Sequence, residues 1–117
     1  MEAGGDDTRA GDHALSGLLS FHSRAMSGGV LDAVETATAE DLTLAEDGFR
    51  FFALADAADV VARVRSVLAA GDLSASDLEE LERDADSRYA AIVPSDGTIV
   101  ERFESRLRAE PDLFAPV

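Results

Sequence analysis

Residues 72–93 read DLSASDLEELERDADSRYAAIV, and their apolar members recur at one spacing: Leu78, Leu81, Ala85, Tyr89 and Ile92. Steps of three and four residues put all five on one face of an α-helix, whereas a half-buried strand would alternate every second residue. Ser74-x-x-Asp77 or Ser76-x-x-Glu79 can close a capping box at its start, the second with the preferred Glu. Pro94, which lacks an N–H and clashes with the preceding turn, ends it.

Working outward, the same period recurs on both sides. Towards the N-terminus, Ala57, Val60, Val61, Val64 and Leu68 form the inner face of a helix opened by Asp56 and closed by Gly71. Before it, residues 41–54 present Leu42, Ala45, Phe49, Phe52 and Ala53 on one side. Val30, Leu31 and Val34 predict a short helix ahead of that. A first helix carries Leu15, Leu18, Leu19, His22 and Met26, with Asp12 as N-cap and Gly28 as the left-handed residue that ends it before Gly29. Towards the C-terminus, Thr98-x-x-Glu101 starts a helix with Ile99, Val100, Phe103 and Leu107 inward. Pro111 stops it, and Leu113 and Phe114 are expected to fold back onto the core. Strand-like alternation occurs only at residues 91–93, too short for a sheet. The expected fold is all-α: one compact domain of five to six short helices over residues 13–117. Residues 1–12, MEAGGDDTRAGD, are expected to form a flexible acidic tail, having almost nothing apolar to bury.

Length and composition narrow the classes. A chain of 117 residues with 46% hydrophobic residues is one domain with a core of its own. Without cysteine it has no disulfide, thiolate nucleophile or cysteine-ligated metal. There is no basic-then-apolar leader and no long apolar run, so a cytoplasmic location is expected rather than secretion or a membrane span. The net charge is −14, and all ten basic residues are Arg. That balance argues against nucleic acid and anionic membranes as partners and favours a basic protein. Abundant Ala, Arg, Asp, Glu and Val also fit a GC-rich coding sequence.

No catalytic, cofactor or metal site emerges. His13 and His22 lie nine residues apart, without the i, i+4 spacing that places two imidazoles on one metal. His22 sits on an apolar stripe, where a hydrogen-bonded core residue is the ordinary role, and His13 stands at a helix start. Ser16, Ser20, Ser23 and Ser27 have no nucleophile-elbow context. Gly28-Gly29 lacks the strand, third glycine and Lys of a phosphate loop. Neither Asp56 with Asp59 nor Glu79, Glu82 and Asp86 matches a calcium loop. The chain is expected not to be an enzyme.

The acidic clustering is the one feature with functional content. Residues 72–86 hold seven carboxylates and a single Arg. On the helix, Asp77, Glu80 and Asp84 run down one flank of the apolar stripe, and Glu79, Glu82 and Asp86 down the other. These six are the candidate partner-binding residues. A compact globule of this length is about 35 Å across, and duplex DNA carries one charge per roughly 1.7 Å of axis. Such a globule therefore spans a stretch of duplex with roughly 20 phosphates. Against this stand five acid-to-Arg pairs at i, i+4 (Glu46–Arg50, Asp59–Arg63, Glu79–Arg83, Asp84–Arg88 and Glu104–Arg108), which ordinary solvated helices also use.

Residues 21–35, FHSRAMSGGVLDAVE, resemble the DNA-mimic-protein-19-like family, bacterial all-helical domains of largely unknown function. That family has a helix ending in Asn-Gly-Gly before an apolar, often aromatic, helix start, and here Ser27-Gly28-Gly29-Val30-Leu31 takes that place. Residues 82–92, ERDADSRYAAI, are similar to its acidic helix, and residues 106–117, RLRAEPDLFAPV, to its closing helix and tail. The order agrees over residues 15–114, with Ser27 for the usual Asn and Val30 for the usual aromatic. The resemblance implies a helical domain and, as in the namesake, an acidic surface that imitates DNA and occupies a DNA-binding regulator. Two alternatives remain open: a structural or regulatory helical module whose acidity is compositional, and an immunity-type protein that neutralises a nucleic-acid-acting toxin.

Overall fold

Six α-helices and one 3-10 turn follow one another along residues 9–115, the residues that a computed structural model describes. They are α1 (Ala10–Gly28), α2 (Val30–Thr36), α3 (Ala39–Phe51), α4 (Ala55–Ala70), α5 (Ala75–Ile92) and α6 (Asp96–Ala109), with the 3-10 turn at Pro111–Leu113. No strand occurs among the described residues, and the all-α expectation holds.

α1 and α3 make the most extensive helix pair, and small residues let their backbones approach. A Cβ on Gly48 of α3 would run into the Ala14 carbonyl of α1. α2 and α4 close over this pair, and α5 lies against both. Phe49, Phe52, Leu18, Val30, Val61 and Val64 are wholly buried where the layers meet. Fully burying one such side chain contributes about 1.5–3 kcal/mol. Phe21, Phe49 and Tyr89 meet edge-on with ring centres 6.0–6.1 Å apart, joining α1, α3 and α5. A second aromatic group seats the C-terminal end. Phe114 lies 5.3 Å from Phe103 and 6.1 Å from Phe52, so the chain folds back after Pro111 as expected.

Several local expectations shift. Residues 1–8, most of the expected tail, lie outside the described residues, whereas Ala10 to Asp12 are already the first turn of α1. Asp12 is therefore the third helical residue rather than the N-cap. Its carboxylate accepts from the N–H of Arg9 at 3.0 Å and from that of Ala115 at 2.8 Å, tying the helix start to the far end of the chain. Gly28 is helical, and Gly29, at φ +95°, makes the break. Ala53 falls beyond α3 in an exposed left-handed turn at φ +60°. α6 begins at Asp96, ahead of Thr98, and its Val100 is 51% exposed rather than inward.

The molecule extends 52 × 28 × 20 Å, its long axis exceeding the compact-sphere value.

Candidate functional site

α5 starts where Ser74 predicts. Its hydroxyl accepts from the Asp77 N–H at 3.0 Å, and the Asp77 carboxylate accepts from the Ser74 N–H at 3.1 Å. Ser74 with Asp77, not Ser76 with Glu79, forms the capping box, and Asp77 also suits the positive end of the helix dipole.

The six candidate carboxylates share one helix but not one task. Asp77 is spent on the cap. Asp84 pairs with Arg88 at 2.9 Å. Asp86 reaches across to α2, where its Oδ1 accepts from the Val30 N–H at 2.9 Å. The N-cap of α2 is Gly29, which has no side chain to do this, so a carboxylate from another helix caps it. Glu79, Glu80 and Glu82 are exposed and have no ion pair within 4.0 Å among the described residues.

The two flanks of α5 differ in charge. On the side towards α4, Asp77, Glu80 and Asp84 share a surface depression with Arg63 and Arg88. A neighbouring cleft sets the same two Arg beside Asp56 and Asp59. That flank is mixed. On the side towards α2, Glu79 and Glu82 precede Asp86 at i−7 and i−4, and α2 adds exposed Asp32, whereas Glu35 lines a cleft with Arg65 of α4. Asp32 and Asp86 both flank the Gly28–Gly29 break. Arg83 is the one cation that helical spacing sets on this flank.

Of the five i, i+4 pairs, Asp84–Arg88 and Glu46–Arg50 come within 4.0 Å, the latter at 3.9 Å. The strongest partner of Glu46 is Arg65 of α4, at 2.6 Å, in a largely buried contact that helical spacing could not reveal.

A second polar cluster joins α1, α5 and α6. His22 is 6% exposed; its Nδ1 lies 2.6 Å from the Tyr89 hydroxyl and its Nε2 2.7 Å from Asp96 Oδ1. Burial, and behind it the Asp96 charge, holds the Tyr89 hydroxyl well above its ordinary ionisation range. The tyrosine therefore stays protonated and donates to Nδ1, leaving Nε2–H to donate to the Asp96 carboxylate. All three groups are satisfied. Through these hydrogen bonds the cluster ties α1, α5 and α6 together. His22 is the hydrogen-bonded core residue expected of it, though sequence could not name partners 67 and 74 residues away. Among the described residues no three His, Asp or Glu side chains are grouped to hold a metal ion, and no helix is long and apolar enough to cross a membrane.

Comparison of the chain with protein-family models, with curated proteins and with solved structures returns no match.

Proposed function

We propose that this chain is a non-catalytic acidic binding protein that occupies a basic protein partner, as a DNA mimic of the kind its family resemblance implies. The observation that carries this is the α2-facing side of α5. There, Glu79 and Glu82 stand exposed beside Asp86 with no ion pair among the described residues, and Asp32 of α2 lies at the same Gly28–Gly29 break as Asp86. The carboxylates of this flank outnumber Arg83, its one cation by helical spacing, and keep a negative field for an incoming partner; such a field speeds and steers association. The α4-facing flank does not serve in this way, because Arg63 and Arg88 sit among its acids. The binding surface thus narrows from the six carboxylates of α5 to Glu79 and Glu82, flanked by Asp86 and Asp32. The partner is a basic, DNA-binding regulator, and the site of action is the cytoplasm.

The test is capture of partners from a lysate of the source cells at low and then moderate salt, with wild type beside a Glu79→Gln/Glu82→Gln double variant. A captured basic protein should bind the double variant on the order of tenfold more weakly, and excess duplex DNA should compete for it. Glu80→Gln, on the mixed flank, should bind as wild type does. Equal binding by the double variant would leave α5 an ordinary solvated helix and favour the compositional account of the acidity.

A further inference from the structure

Among the described residues, three of the four large hydrophobic side chains that stand exposed lie together: Leu19 at 43%, Met26 at 64% and Val100 at 51%. They line one groove of about 540 Å³ between α1 and α6, with Ile99 and the His22–Asp96 pair in its wall. Single exposed apolar residues are normal on protein surfaces, but a cluster in a concave site marks a contact surface.

The charge around the groove is one-sided. Residues 13–31 contain no carboxylate and one Arg, Arg24, whose position on α1 is off the groove row of Leu19 and Met26. On α6, Asp96 and Val100 line the groove, their i+4 row continuing beyond its lining through Glu104 to Arg108, while Arg102 and Arg106 face the other flank, Arg106 stacking on Phe51 at 4.2 Å. The Asp96 side chain is 84% exposed, and with Oδ1 bonded to His22 its other oxygen is free for a cation. α1 has no basic residue in its last turn, so its negative dipole end is uncompensated beside the groove, with Asp32 close by. The groove is therefore apolar along its length, with the Asp96 carboxylate in one wall and the negative dipole end of α1 at one end.

We propose that the groove between α1 and α6 receives an amphipathic helix from a basic protein, with apolar residues down one face and Arg or Lys on its flanks. Leu19 and Met26 are two helical turns apart, about 11 Å, which matches anchors at i and i+7 of a docked helix. Met26 adapts to anchors of different shape. A second copy of this chain fits poorly, since it would bring another −14 charge to the same negative rim. This inference rests on a basic partner, as the proposed function does, but on different residues, so the two fail separately.

The probe is a synthetic 15-residue peptide with Leu and Phe at i, i+3 and i+7 and Arg on both flanks. A scrambled peptide of the same composition and an amphipathic peptide with Glu in place of Arg serve beside it. Binding to the full chain is followed by fluorescence anisotropy at 0.15 M sodium chloride, and its location by methyl NMR of Leu19, Met26 and Val100. The basic amphipathic peptide should bind saturably, with Kd on the order of 10 μM, and should shift those methyls. Met26→Gln with Val100→Gln, both at exposed positions, should weaken it at least tenfold, whereas Glu79→Gln/Glu82→Gln should not. Scrambled peptide binding as tightly, shifts confined to α5, or no saturation in the millimolar range would overturn the proposal. So would sedimentation equilibrium showing a dimer of this chain that Met26→Gln with Val100→Gln dissociates.

Discussion

Gly29 and Tyr89 are the single residues on which most turns. Gly29 holds φ +95° and ψ 164°, a region that only glycine occupies without strain, and no side chain can replace it there. Gly29→Ala should cost about 1–3 kcal/mol, read as a lower midpoint in urea. Gly28→Ala should change stability far less, because Gly28 is helical and the carboxylate its Cβ would meet belongs to exposed Asp32, which can turn away. Equal costs would mean that the break is not at Gly29. Tyr89 is the only tyrosine, and tryptophan is absent, so phenolate absorption reports on it alone. Its ionisation is raised in the folded state, chiefly by burial, so above about pH 10 the unfolded chain releases a proton that the folded chain keeps. Fewer protons on the unfolded state means that stability falls as pH rises. The slope should approach 1.4 kcal/mol per pH unit at about 25 °C, with phenolate appearing only together with unfolding. Tyr89→Phe should remove this alkaline slope, although leaving the buried His22 nitrogen without its donor lowers stability at neutral pH by about 1–3 kcal/mol.

Among the helices, α2 shows most clearly that an element can depend on a distant one. Seven residues are far too few for a helix to stand alone in water, and its N-cap is a glycine. Asp86 of α5 supplies the missing acceptor, while Val30, Leu31, Ala33 and Val34 bury its inner face. Asp86→Ala should destabilise the protein by about 0.5–2 kcal/mol, and Asp86→Asn, which keeps an acceptor oxygen, by less. Amide hydrogen exchange should then quicken at Val30 to Ala33 before it quickens in α1 or α3. Protection unchanged in the Ala variant would mean that packing alone orders α2. Asp86 consequently belongs among the structural residues, and a binding test that altered it together with Glu79 and Glu82 would confuse a loosened α2 with a lost contact.

At the scale of the whole molecule, charge opposes compactness. A net −14 on a body 52 × 28 × 20 Å is partly relieved by its length and by a few ion pairs, of which Glu46–Arg65 is the most buried. Salt shortens the screening length to about 8 Å at 0.15 M, weakening repulsion across the surface more than it weakens a half-buried contact at 2.6 Å. The melting temperature should therefore rise between 0.01 and about 0.3 M sodium chloride. A fall over that range would show that specific ion pairs outweigh the repulsion. Removing Glu46 by Glu46→Gln should lower the melting temperature at every salt concentration, because Arg65 is then left without its carboxylate partner.

Sequence by itself determined the class of fold and the order of its helices, because helical periodicity is a local property that each segment carries alone. The stripe of Leu81, Ala85 and Tyr89, the stop at Pro94 and the return of Phe114 to the core all follow from spacing and from what Pro permits. Helix ends were legible only to within a few residues, since Asp12, Gly28 and Ser95 lie where several local caps compete. Tertiary structure alone decided which carboxylates are free. Asp77, Asp84 and Asp86 look alike in the chain as members of one acidic run. One caps its own helix, one meets the Arg a turn away, and one caps a helix 56 residues distant. The same holds for the Tyr89–His22–Asp96 tie and for the groove that gathers Leu19, Met26 and Val100. Distance through space, set by how the helices pack, has no counterpart in the periodicity of any one of them.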